Sequence, residues 1–167
     1  MPDNIYLIGM MGAGKTVAGK QMAKHLKRPF VDVDSAIEQS EGMKIREIFK
    51  KKGEKYFRDV ESRVLEEIAS GECQVVGTGG GIVRSEKNIA CMKSTGKVVY
   101  LEASSEVLWK RVHGDRDRPL VQSESDFEEL LAERKPAYER ASAVTVNSEQ
   151  SLSQMLEDIK KGLAGTA

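Results

Sequence analysis

The stretch Ile5-Tyr6-Leu7-Ile8-Gly9-Met10-Met11-Gly12-Ala13-Gly14-Lys15-Thr16 decides the fold. Four apolar residues ending at a glycine read as a buried strand. The next eight, Gly9 to Thr16, fit GxxxxGK[ST] at every fixed position and open a helix-patterned segment, the setting that gives this motif its meaning. Glycines let the backbone turn so that successive N–H groups face phosphate oxygens. The positive end of the helix dipole adds to that field. Lys15 is placed to reach β- and γ-phosphates, and the Thr16 hydroxyl to ligate Mg²⁺. The loop implies a bound nucleoside triphosphate and leaves the acceptor open.

Four more runs read as strands: Phe30–Asp34, Gln74–Thr78, Lys97–Leu101 and Ala143–Val146. Helix-patterned segments separate them, over about 15–27, 35–70 in pieces, 85–94, 105–113, 124–140 and 151–163. Strand alternating with helix predicts an α/β fold with a five-stranded parallel sheet covered on both faces. A length of 167 residues without a linker suits one domain. The segment Gly114–Ser123 is polar, aperiodic and carries Arg116 and Arg118. Beside a phosphate loop it reads as a mobile lid.

Composition narrows the function. The 26 basic and 26 acidic residues cancel, which argues against a nucleic-acid-coating protein. Two Cys and two His, with no CxxC or HxxxH, exclude most zinc chemistry. Cys73 and Cys91 read as buried or neutral thiols. No run approaches the ~20 apolar residues of a membrane span. The amino terminus lacks the basic start of a signal peptide, so the expected location is cytoplasmic.

Three further features carry chemistry. In Phe30–Asp34 a strand period puts Val31 and Val33 on one face, Asp32 and Asp34 on the other. Both acids then lie at a strand's carboxyl end, where parallel sheets build their sites. One suits water-mediated Mg²⁺ binding, the other accepts a proton from an attacking hydroxyl. Ser35 with Glu38 also spells a capping box. Next, Phe57, Glu61, Val64, Leu65 and Ile68 share one helical face. A glutamate amid apolar residues is costly unless paired, and Arg58 lies one turn earlier to pair with it. A guanidinium fixed in this way can clamp a carboxylate bidentately. Lys44, Arg46, Lys50, Lys51, Lys52 and Lys55 make the stretch basic, a solvated face that also favours an anionic substrate. Finally, Thr78-Gly79-Gly80-Gly81 follows the third strand and permits close approach of its backbone to a substrate or to the next helix.

Taken in order, Gly9–Thr16, Asp32-Val33-Asp34, Phe57–Glu61, Thr78–Gly81, Arg118-Pro119-Leu120 and Arg134-Lys135-Pro136-Ala137-Tyr138 resemble the shikimate kinases. The resemblance runs from Ile5 to about Val146. It implies a nucleoside-monophosphate-kinase type of fold in a single kinase domain over 1–167. The substrate-binding helices would lie at about 35–70 and the lid at about 114–123. It implies transfer of the ATP γ-phosphoryl group to the 3-hydroxyl of shikimate, a step of aromatic amino-acid biosynthesis, with Mg²⁺. Gly12, Ala13, Gly14, Lys15, Thr16 and Val17 would hold ATP, with Arg111 stacked on adenine. Asp32 would support the metal beside Thr16. Asp34 would bind the substrate hydroxyls as base or orienter. Arg58 and Arg134 would grip the carboxylate, and Glu61 would hold Arg58. Gly79, Gly80 and Gly81 would line the pocket, with Phe49 and Phe57 against the ring. Lid residue Arg118 would reach both reactants. One departure is the loop near Asn147–Ser151, which carries no proline.

The nearest rival is another sugar-acid or nucleotide kinase of the same fold, such as a gluconate kinase. A nucleotide-binding switch would carry an Asn-Lys-x-Asp run, which is missing, and a degenerate binding module would tend to lose Lys15 or Asp34. RNA binding through Lys50–Lys52 lacks interleaved aromatics. A short chain without an appended module is expected to act as a monomer, with no membrane partner.

Overall fold

The computed structural model describes residues 3–113 and 122–166. Strand β1 (Asn4–Ile8) is buried along its whole length, as a run covered on both faces must be. Helix α1 (Lys15–Leu26) follows, then β2 (Phe30–Asp32), α2 (Val33–Glu41) and α3 (Ile45–Ala69). Strand β3 (Val75–Gly77), a 3-10 turn at Ile82–Arg84, α4 (Glu86–Thr95), β4 (Gly96–Glu102) and α5 (Ser105–Val112) come next. Helix α6 (Glu124–Ala141), β5 (Val144–Asn147) and α7 (Leu152–Ala164) complete the order.

The five strands form one sheet in the order β2-β3-β1-β4-β5, every pair parallel. Alternation along β1 shows how it is covered. The Tyr6 hydroxyl bonds Thr95 of α4 at 2.7 Å, while Leu7 lies against Gly19 of α1. Successive side chains of a strand point to opposite faces, so α1 and α4 lie on opposite faces of the sheet. Helix α6 shares the α4 side through Tyr138, which stacks on Tyr100 of β4. The chain leaves β1 toward one edge and crosses to the other after β3. The carboxyl end of β1, which carries the glycine loop, is therefore the switch point where such sheets bind ligands.

The expected strand Phe30–Asp34 is shorter than the period implied. Asp32 Oδ1 accepts the Ser35 amide at 2.9 Å, a cap that starts α2 at Val33. Asp34 consequently sits in the first helical turn, and Asp32 and Asp34 do not share a strand face. Ser35 is not the cap either. Its expected partner Glu38 accepts the Ile45 amide at 3.0 Å and ties down the start of α3 instead. The expected division of 35–70 is real: α3 breaks at Gly53, with φ 86° and ψ 169°. Cys73 is exposed rather than buried, whereas Cys91 is partly buried, and burial raises the Cys91 thiol above its ordinary range. Among the described residues no helix is long and apolar enough to cross a membrane.

At the amino ends of the strands, Asn4 is 1% exposed. It accepts the Gln74 amide at 3.0 Å and donates to Gly71 O at 2.9 Å. Asn4→Ala leaves both backbone groups without these partners, so urea denaturation is expected to show a loss of about 2 kcal/mol. Nucleotide affinity should stay at the wild-type value, because the glycine loop lies at the opposite end of the sheet.

Candidate active site

The loop from Gly9 to Thr16 joins β1 to α1. Gly14 caps α1 in the left-handed region, φ 88°, and no side-chain cap bond is made there. The helix N-terminus, with its N–H groups and the positive end of its dipole, faces the loop and suits an anion. Lys15 Nζ donates to Gly9 O at 2.5 Å and Met10 O at 3.0 Å, curling over the loop it serves. Thr16 Oγ1 donates to Asp32 Oδ2 at 3.5 Å. Asp32 thus divides its oxygens, one for the α2 cap and one facing Thr16. Val17 is exposed on the outer side of the helix start. Arg111 spans the loop's far edge, donating to Gly12 O and to Ser148 O, each at 3.0 Å. Expected as a stacking group on adenine, Arg111 is seen to strap the phosphate loop to the segment after β5.

The second glycine loop follows β3, and each of its glycines faces a different candidate side chain. A β-carbon at Gly79 would fall 2.8 Å from Asp34 Oδ1, and one at Gly80 would fall 3.0 Å from Arg134 Nη1. At Gly81 it would meet Arg58 Nη1 and Nη2, both at 2.5 Å. The structure therefore brings Asp34, Arg58 and Arg134, from α2, α3 and α6, onto one strip of backbone. Glu61 joins them: the Gly79 position lies 3.4 Å from its Oε2.

The expected pair is present. Arg58 Nη1 donates to Glu61 Oε1 at 3.0 Å, and the glutamate is 1% exposed. Burial pushes the Glu61 carboxyl up to about 6, with Arg58 opposing that rise and nearby Asp34 adding to it. On the other side Arg58 Nε lies 3.6 Å from Glu54, which accepts a bond from Arg84 at 2.8 Å. Phe57 and Phe49 pack with ring centroids 4.8 Å apart, and the Arg58 guanidinium sits over Phe57 at 5.1 Å.

Arg134 is 4% exposed. Burial draws its pKa below the ordinary guanidinium range, and Arg58 and Arg84 act in the same direction. Its Nη1 lies 3.8 Å from the Met10 sulfur, and its Nε has no hydrogen-bond partner among the described residues. The expected lid residue Arg118 lies outside the described residues. Sequence reasoning assigned no role to Met10, Glu54, Arg84, Tyr138 or Ser148. The signal for Tyr138 was available, since it stands at i+4 from Arg134 and must share its helix face.

A family model for shikimate kinase matches residues 11–164. The chain belongs to the shikimate kinase family. It is 42% identical over 158 residues to the shikimate kinase of Sulfurihydrogenibium sp. strain YO3AOP1, covering 93% of this chain and 95% of that one. The structure of the Acinetobacter baumannii shikimate kinase, solved with shikimate, superposes with a TM-score of 0.94 at 37% identity, covering 98% and 94% of the two chains. A gluconokinase from Sinorhizobium meliloti reaches a TM-score of only 0.67 at 22% identity, covering 99% and 94%, a likeness of fold alone. As a member of a kinase family the chain uses ATP.

The Glu61 carboxyl holds its proton more tightly in the folded chain than in the unfolded one. This group therefore favours the folded state in acid, and that contribution is lost as pH rises through about 6. Its grip on Arg58 has the opposite sense and weakens as pH falls through the same range. Titration of Glu61 by side-chain carbonyl ¹³C NMR is expected to show a midpoint near 6. In Arg58→Ala the midpoint should move higher still, because the opposing cation is gone. A wild-type midpoint at the ordinary value would contradict the desolvation argument.

Proposed function

We propose that this chain is a single kinase domain that transfers the γ-phosphoryl group of ATP to the 3-hydroxyl of shikimate, giving shikimate 3-phosphate and ADP. The observation that carries this reading is Arg134. A guanidinium almost wholly buried, with no ion-pair partner among the described residues, is costly unless a ligand supplies the anion. It lies against the same glycine strip as Arg58, whose own carboxylate partners occupy its Nη1 and Nε sides. Two cations converging on one backbone strip suit a compact carboxylate. Asp34, at the next glycine, suits the hydroxyls of the same ring. Phe49 and Phe57 supply an apolar wall. The Acinetobacter relative bound to shikimate supports this choice of acceptor.

In this mechanism the loop N–H groups and the α1 dipole hold the phosphate chain. Lys15 leaves its carbonyl partners to meet the β- and γ-oxygens. Asp34 orients the attacking hydroxyl and accepts its proton. Charge developing on the transferred group is met by Lys15 and, on lid closure over about 114–123, by Arg118. Closure excludes water, which would otherwise compete as acceptor.

Thr16 and Asp32 offer oxygen donors at the mouth of the loop. No group of three or more His, Cys, Asp or Glu able to hold an ion occurs among the described residues. So sparse a set fits Mg²⁺, which keeps waters and takes phosphate oxygens. Bound there, it neutralises charge on the β- and γ-phosphates.

Two outcomes are expected. ADP release with Mg·ATP should require shikimate, and gluconate, AMP and the absence of acceptor should give only background. Release with gluconate alone would keep the phosphate chemistry and overturn the acceptor. Asp32→Asn keeps a capping oxygen for the Ser35 amide, so thermal stability should hold. The Mg²⁺ concentration for half-maximal rate should rise roughly tenfold or more.

A further inference from the structure

Tyr138 is fully buried. Its ring stacks on Tyr100 of β4 with centroids 5.0 Å apart, which fixes where the hydroxyl can reach. That hydroxyl donates to Gly80 O at 2.5 Å and lies 3.8 Å from the Met10 sulfur. One turn earlier on α6, Arg134 touches the same sulfur and faces the same glycine. A single helix face therefore carries both a carboxylate-binding cation and a hydroxyl that holds the backbone beside it.

The peptide plane gives this bond a consequence. In a trans peptide the C=O of residue 80 and the N–H of residue 81 point in opposite directions. A carbonyl pinned toward Tyr138 turns the Gly81 N–H away from α6. Ile82 N and Arg84 N close the following turn on Gly79 O and Gly81 O. Among the described residues the N–H groups of Gly80 and Gly81 donate to no backbone carbonyl. We propose that Tyr138 is a positioning residue for the acceptor: by holding the Gly80 carbonyl, it presents the Gly81 N–H to the substrate as a fixed donor on the Arg58 side of the loop. This inference rests on the carboxylated-ring reading of the acceptor site. Burial keeps the phenol neutral, its pKa pushed up to about 12, so it remains a donor through the working pH range.

A buried tyrosine hydroxyl usually finds some partner for packing reasons alone, and the test must separate the two roles. Tyr138→Phe keeps the ring and its stack on Tyr100. The expected result is a shikimate KM raised about tenfold, the size of one hydrogen bond. The ATP KM should stay within about twofold and Tm within about 2 °C. A shikimate KM within twofold of wild type overturns the proposal. So does a parallel rise of both KM values with a fall in Tm, which marks general loosening.

A second readout uses ¹⁵N-glycine-labelled chain without ligand. In Tyr138→Phe the Gly80 and Gly81 amides should exchange at least tenfold faster, with Gly12 and Gly14 unchanged. Unaltered exchange at Gly81 overturns the pinning, whatever the acceptor. In the wild type, shikimate alone should shift the Gly81 amide resonance, and a stationary resonance with shikimate bound overturns the substrate role. A wild type that neither binds nor phosphorylates shikimate overturns the acceptor reading instead. The exchange comparison then still decides whether Tyr138 holds Gly80.

Discussion

Everything at the acceptor end of this molecule depends on three consecutive backbone positions without a β-carbon. Asp34, Arg134 and Arg58 each occupy space that a side chain at Gly79, Gly80 or Gly81 would need, at 2.8, 3.0 and 2.5 Å. The atoms such a side chain would meet are the charged heads themselves, so a substitution here displaces an Asp34 or arginine head from the loop. The loop is a template against which α2, α3 and α6 set their polar groups. The break at Gly53 matters in the same way: it lets the second half of α3 take its own direction and seat Arg58 at Gly81 and Glu61 beside Gly79. The arrangement concentrates cations. Arg58 and Arg84 repel Arg134, and the ion pairs of Glu61 and Glu54 are made with Arg58 and Arg84.

Which parts of this were legible in the sequence follows from the range of the interactions. The phosphate loop is a local motif, and its residues lie where the spacing puts them. The Arg58–Glu61 pair was legible because one helical turn brings i and i+3 together and the surrounding apolar stripe forces burial. The two aspartates were misread for an equally local reason. Period two fits Phe30–Asp34 as well as a strand does, but the Asp32 side chain captures the Ser35 amide and starts a helix two residues early. A hydrogen bond of about 1 kcal/mol outweighed a pattern. Arg134 had no local signature, since only the crossing of α6 over the third strand's loop buries it. Its place came from the family resemblance. The same long-range packing hid Tyr138, although it stands one turn from a residue already singled out.

The two halves of the site are not independent. Met10 belongs to the phosphate loop, is 1% exposed, and touches both Arg134 and Tyr138 of α6. Gly80 backs onto the same loop, its absent β-carbon lying 3.6 Å from Met11 N. On the opposite flank Arg111 straps Gly12 to Ser148. The nucleotide loop is thus held from both sides by side chains whose other contacts lie outside it. Packed contacts through Met10 therefore connect the phosphate loop to Arg134.

The gluconokinase comparison shows why the fold cannot choose the acceptor. A shared fold positions a phosphate loop at a strand's carboxyl end, but it does not decide what stands opposite. That decision lies in the charge balance. Around the second glycine loop Glu61 answers Arg58, and Glu54 answers Arg84. Arg134 touches a thioether and a phenol and is repelled by two arginines, and the field of Glu61 reaches it without an ion pair among the described residues. Burial makes that imbalance expensive in the free chain. A neutral polyol would leave it standing, whereas a ring carboxylate held as proposed would remove it. The discrimination therefore comes from what the site lacks as much as from what it offers. On the proposed reading, an acceptor without the anion forfeits a contact that would relieve a desolvated charge.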